Sequence, residues 1–72
     1  MDKLLVRALA AYYKSGGIEG GLQPSTVEHD EKLYIFLKKN RTTHAIYRVR
    51  IVYGNPVLKR LVRDPLRKVT HA

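Results

Sequence analysis

The sequence predicts an α+β fold: an N-terminal helix packed on a three-stranded antiparallel β-meander, with a short C-terminal tail or helix. Three observations carry that reading. Residues 3–14 place their apolar side chains at helical spacing, residues 32–63 alternate at strand spacing, and polar or Gly/Pro breaks divide the second stretch into three runs. The whole chain of 72 residues reads as one small domain, with helix 3–14, loop 15–31, meander 32–63 and tail 64–72.

In the helix, Leu4, Leu5, Ala8, Leu9 and Tyr12 fall at i, i+1, i+4, i+5 and i+8, a single stripe able to cover a sheet. Ala8, Ala10 and Ala11 add helix propensity, and Asp2 suits the positive end of the dipole. Lys14 lies in the last turn, and Gly16-Gly17 after Ser15 can supply the left-handed residue that stops a helix. Residues 15–31 follow as a connection rich in glycine, with Pro24, Ser25 and single apolar residues at Ile18, Leu22 and Val27. A loop of that length is read either as a binding loop or as a flexible tether. A short strand near Ser25 to Glu28 is the alternative local structure.

The first strand, residues 32–39, directs Leu33, Ile35 and Leu37 to one side and Lys32, Tyr34, Phe36 and Lys38 to the other. Asn40 to Thr43 is a polar break suited to a hairpin. In residues 44–53, Ala45, Tyr47, Val49, Ile51 and Tyr53 share one face, and His44, Ile46, Arg48, Arg50 and Val52 share the other. Gly54-Asn55-Pro56 makes the next turn, and residues 57–63 the third strand. Asp64-Pro65 is a helix-start pair with about two turns of chain beyond it. The helix stripe is expected to cover Leu33, Ile35, Leu37, Tyr47, Val49 and Ile51.

Composition narrows the function classes. A chain this short buries only about 60% of the surface it exposes when unfolded, so its core is modest. With no cysteine, disulfides and thiolate metal sites are excluded. His29, His44 and His71 show no metal-ligand spacing, and no nucleophile–base pattern or phosphate-loop ending accompanies the glycines. No catalytic residue, metal or cofactor is therefore assigned, and a non-enzymatic role is expected. No apolar run reaches the roughly 18–20 residues that span a bilayer. The N-terminus reads as a structural helix and not as a signal peptide, so a cytoplasmic protein without membrane insertion is the expectation.

Charge is distributed unevenly. Residues 31–72 carry 11 cations and two acids, a balance of +9, whereas residues 1–30 carry −1. Placing the cations on strands selects one face: Tyr34, Phe36 and Lys38 from the first strand beside Arg48 and Arg50 from the second, with Lys59 on the third. Rings stack bases and neighbouring cations neutralise phosphates, a combination suited to single-stranded nucleic acid. The competing account is structural: aromatic residues are good strand formers, and Tyr34 and Phe36 would pack against another protein chain or a second copy of this one. Charges on both faces of the third strand, Lys59, Arg60 and Arg63, are explained equally by edge protection.

Between Lys32 and Pro65, the pattern Leu33-Tyr34-Ile35-Phe36-Leu37, the run Ala45-Ile46-Tyr47-Arg48-Val49-Arg50, and Leu58-Lys59-Arg60-Leu61 before Arg63 and Pro65 resemble a set of short bacterial proteins of uncharacterised function. The likeness covers about half the chain and implies no activity. Gly54-Asn55 after Tyr53 departs from that group's tighter turn. Helix, three strands and a short helix is also the order of double-stranded-RNA-binding domains. That comparison stays at topology, because the last helix is too short and no lysine cluster opens it. A small basic binding protein for nucleic acid is the leading expectation, and a protein-interaction or homodimerisation module the alternative.

Overall fold

The computed structural model describes residues 2–66. Among them are one helix and four strands: α1 (Lys3–Lys14), β1 (Gln23–His29), β2 (Lys32–Lys39), β3 (Thr42–Val52) and β4 (Asn55–Leu61). The strands form a single antiparallel sheet in the order β1-β2-β3-β4. The α+β class is as expected, and the meander has one strand more than the sequence suggested. The expected tail at 64–72 lies mostly outside the described residues. At its start, Asp64 Oδ1 accepts from Leu66 N–H at 2.8 Å, the local bond of an Asx turn.

α1 begins and ends where the sequence places it, for reasons visible in its orphan backbone groups. Asp2 is the N-cap, its Oδ1 accepting from Leu4 N–H at 2.8 Å. At the other end Gly16 N–H donates to Tyr13 O and Gly17 N–H to Tyr12 O, the paired bonds of a Schellman cap. Gly16 takes the left-handed φ of +100° that this cap requires. Gly17 is needed for a different reason: a Cβ there would overlap the Tyr12 ring.

The segment after the cap is held by side chains. Tyr13 Oη donates to Glu19 O at 2.7 Å, Glu19 N–H donates to Tyr12 Oη at 3.2 Å, and Lys39 Nζ contacts Glu19 Oε1 at 2.7 Å. Leu22 is buried in the core, so the expected long loop is a short anchored connection leading into β1. β1 corrects the loop assignment over 15–31. It pairs with β2 along its whole length, from Gln23 opposite Lys38 to His29 opposite Lys32.

Three hairpins of the same kind join the strands. Their two central residues are Asp30-Glu31, Asn40-Arg41 and Tyr53-Gly54, and all six have positive φ, between 50° and 79°. That is the signature of the type I′ turn, whose twist matches that of the flanking strands. The last turn is therefore Tyr53-Gly54 and not Gly54-Asn55-Pro56, which starts β4 at Asn55 and ends it at Leu61. A bulge between Leu37 and Lys38 leaves His44 as the extra residue of β3.

The two faces of the sheet are both apolar at their centres. On the helix side, Ala8 and Tyr12 pack with Leu22, Ile35, Leu37, Ala45, Tyr47 and Val49. Leu33 is only half-buried, and Ile51, expected beneath the helix, is 67% exposed. The physical reason is position: α1 makes most of its contacts with β1 and β2, and the end of β3 that carries Ile51 runs on beyond the Leu33–Val49 pair. On the opposite face Tyr34, Phe36 and Ile46 form a second buried cluster, flanked by Val27 and Leu61. Tyr47 Oη, on the helix side, is buried with no hydrogen-bond partner among the described residues.

Candidate functional site

The register sorts the face opposite the helix into rows across the strands. One row holds Ser25, Phe36, Ile46 and Leu61; the next holds Val27, Tyr34, Arg48 and Lys59. Beyond it come Lys32, paired with His29, and Arg50, paired with Val57. Lys38 lies on the far side of the Phe36 row, opposite Thr43 at the bulge.

The expected site residues therefore divide. Arg48 and Lys59 are directly cross-strand neighbours, which puts their Cβ atoms about 5 Å apart. Arg50 follows Arg48 on the same face. Lys38 is four residues along β2 from the Tyr34 row, roughly 13 Å at 3.3 Å per residue. Its Nζ sits 5.3 Å from the centroid of the Phe36 ring, a cation–π contact.

Tyr34 and Phe36 differ from what base stacking requires. They retain only 5% and 2% of their exposure, because Ile46, Val27 and Leu61 close around them. A base cannot lie on a ring that is already covered. The rings act in this conformation as the core of the second cluster, which removes the aromatic half of the expected platform and leaves the cationic half.

Lys32 is the residue that sequence reasoning left out of the site. Its strand alternation already placed it on the face of Tyr34, but its position at the end of a run obscured its neighbours. Only the pairing of Leu33 with Val49 shows that Lys32 ends beside Arg50. Arg50, Lys59 and Lys32 are exposed, and Arg48 is half-buried with its Nε hidden and without an acceptor. Among the described residues no carboxylate lies within 4 Å of any of these four cations. None of the four is held in an ion pair, and the patch keeps an excess of positive charge within a chain of net charge +8.

Two other cations of the C-terminal half, Arg60 and Lys39, are otherwise engaged. Arg60 lies on the helix side, 5.7 Å from the centroid of the Tyr12 ring, with Nη2 donating to His44 O at 3.4 Å. Lys39 is paired with Glu19, and this bond and the ammonium charge hold the Glu19 carboxyl below its usual range, against a smaller opposing effect of burial. Among the described residues no group of three His, Asp or Glu side chains converges as a metal site would. No described helix is long and apolar enough to cross a membrane.

Comparison with known proteins adds no assignment: no family model fits the chain, and no curated protein and no solved structure matches it. The functional reading rests on the site itself.

Proposed function

We propose that this is a small non-enzymatic protein that binds nucleic acid through the cationic patch Lys32, Arg48, Arg50 and Lys59 on the sheet face opposite the helix. The observation that carries the reading is the convergence of four cations in adjacent rows with no carboxylate within 4 Å among the described residues, Glu31 being the one acid that lines the groove with Lys32, Arg48 and Arg50. Release of counterions from phosphates is the driving force such a patch offers, and it is independent of sequence. With Tyr34 and Phe36 covered, contact runs to the phosphate backbone and not to stacked bases.

Fluorescence anisotropy with single-stranded and duplex oligonucleotides at several salt concentrations tests this. Binding is expected to weaken steeply with salt. Arg48→Ala, Arg50→Ala and Lys59→Ala should each reduce the salt slope by about one and lower affinity alike for all sequences. Lys38→Ala should matter less, because its ammonium is spent on Phe36. Absence of binding at low salt, or binding indifferent to salt, would refute the proposal.

A protein-interaction module is the second reading. What favours it is the β3–β4 hairpin end, where Ile51, Val52, Tyr53 and Val57 are all exposed, Tyr53 at 99%. The earlier form of that reading, with Tyr34 and Phe36 buried against a partner, loses its basis, since those rings are buried within the chain.

A further inference from the structure

The helix side of the sheet carries a trough that the nucleic-acid reading does not use. Its floor is Leu33, Val49, Ile51 and Pro56, one wall is Leu4, and Lys3 and Arg7 stand on the α1 rim. It encloses about 470 Å³ and is open along one side. The trough exists because α1 makes most of its contacts with β1 and β2, while β3 and β4 run on beyond β2: the last pairing of β2 with β3 is Leu33 with Val49, and β3 continues to Val52. Next along the same face lie Leu58, opposite Val49, and Arg60, opposite Tyr47.

Charge identifies the occupant. Lys3 and Arg7 are one helical turn apart, both exposed, and neither has a carboxylate within 4 Å among the described residues. Asp2, the lone acid lining the trough, is already committed to the helix N-terminus. A second copy of this chain, at +8, would bring like charge to that rim. The chain's own residues 67–72, with Arg67 and Lys68 and no acid, have the same wrong sign. An open trough also suits a helix or strand laid along it better than an isolated acyl chain, which needs an enclosing pocket.

We infer that the trough between α1 and the β3–β4 hairpin docks an acidic amphipathic segment of a partner protein, its apolar side on Ile51, Val49 and Leu33 and its carboxylates against Lys3 and Arg7. The inference uses the face opposite the nucleic-acid patch and stands or falls separately from it.

The test is binding of a labelled acidic amphipathic peptide with leucines at i, i+4 and i+7, beside a scrambled peptide of the same composition. Amide chemical-shift mapping locates the site. The expected result is saturable binding of the patterned peptide, shifts confined to α1, Leu33 and Val49 to Pro56, and weaker response to the scrambled one. Ile51→Asp should weaken it by about ten- to hundredfold, the loss of one buried aliphatic side chain. Arg7→Glu should weaken it about fivefold, an effect that fades at high salt. Because Ile51 is largely exposed, Ile51→Asp should keep the native melting temperature and oligonucleotide binding.

Four results would overturn the inference. They are equal binding of the scrambled peptide, shifts on the Arg48 face instead, sedimentation showing a dimer that Ile51→Asp dissolves, and binding to phosphatidylserine vesicles lost with Ile51→Asp while the peptide fails to bind.

Discussion

Arg41 offers the sharpest test of how the hairpins are built. It is the second residue of the β2–β3 turn, held at φ +68°, where glycine is the favoured occupant of a type I′ turn. The left-handed region costs an L-residue about 1–2 kcal/mol. Glycine escapes that cost but loses about 0.5–1 kcal/mol more backbone entropy on folding. Arg41→Gly is therefore expected to stabilise the protein by about 0.5–1 kcal/mol. In a domain of this size that corresponds to roughly 2–8 °C in melting temperature, read by circular dichroism. Arg41 is exposed and unpaired among the described residues, so little is lost with its charge. Arg41→Ala is the control: it removes the same charge and keeps the Cβ, so it should melt near the wild type. If Arg41→Gly melts at or below the wild type, or Arg41→Ala reproduces its gain, the reasoning from backbone strain is wrong.

Three further outcomes follow from contacts described above. Gly17→Ala should cost about 1–3 kcal/mol in urea unfolding, because the new methyl meets the Tyr12 ring, whereas Gly20→Ala meets nothing within 4 Å and should cost far less. Glu19 has its carboxyl pKa lowered by the Lys39 bond, so the folded state favours its ionised form. That stability is present above the unfolded carboxylate pKa and is lost as pH falls through the lower folded value. Melts at pH 7 should then separate the wild type from Glu19→Gln, with the gap closing in strong acid. Tyr47→Phe removes a buried hydroxyl that has no partner among the described residues and should leave stability unchanged or raise it by about 1 kcal/mol, as chemical denaturation would show.

The helix was legible to the residue because its evidence is local: Asp2, the leucine stripe and Gly16-Gly17 are all within the segment they define. β1 was not, because Gln23-Pro24-Ser25-Thr26-Val27-Glu28-His29 has a single aliphatic residue and owes its extended form to pairing with β2. Asp30-Glu31 hid the turn between them, since Glu is a poor cue for a left-handed position. Strand alternation assigned the two faces of β2 and β3 correctly. It did not reveal that Tyr34 and Phe36 close on Ile46, Val27 and Leu61, because burial of a sheet's outer face depends on neighbours brought by β1 and β4. Among the cations, face was readable from parity, but the grouping of Arg48 with Lys59, and of Lys32 near Arg50, required the register.

The uninterrupted meander has a kinetic consequence. Each strand pairs with its neighbour in sequence, so the sheet can assemble hairpin by hairpin without closing any long loop. Contact order is therefore low for a protein so rich in strand, which places its folding toward the fast end for β-sheet domains. Docking of α1 on the sheet, with Ala8 and Tyr12 meeting Ile35, Leu37 and Tyr47, joins segments distant in sequence. The Tyr12 and Tyr13 bonds to Glu19 span only seven and six residues, so they close locally and fix the segment that carries the helix onto the sheet.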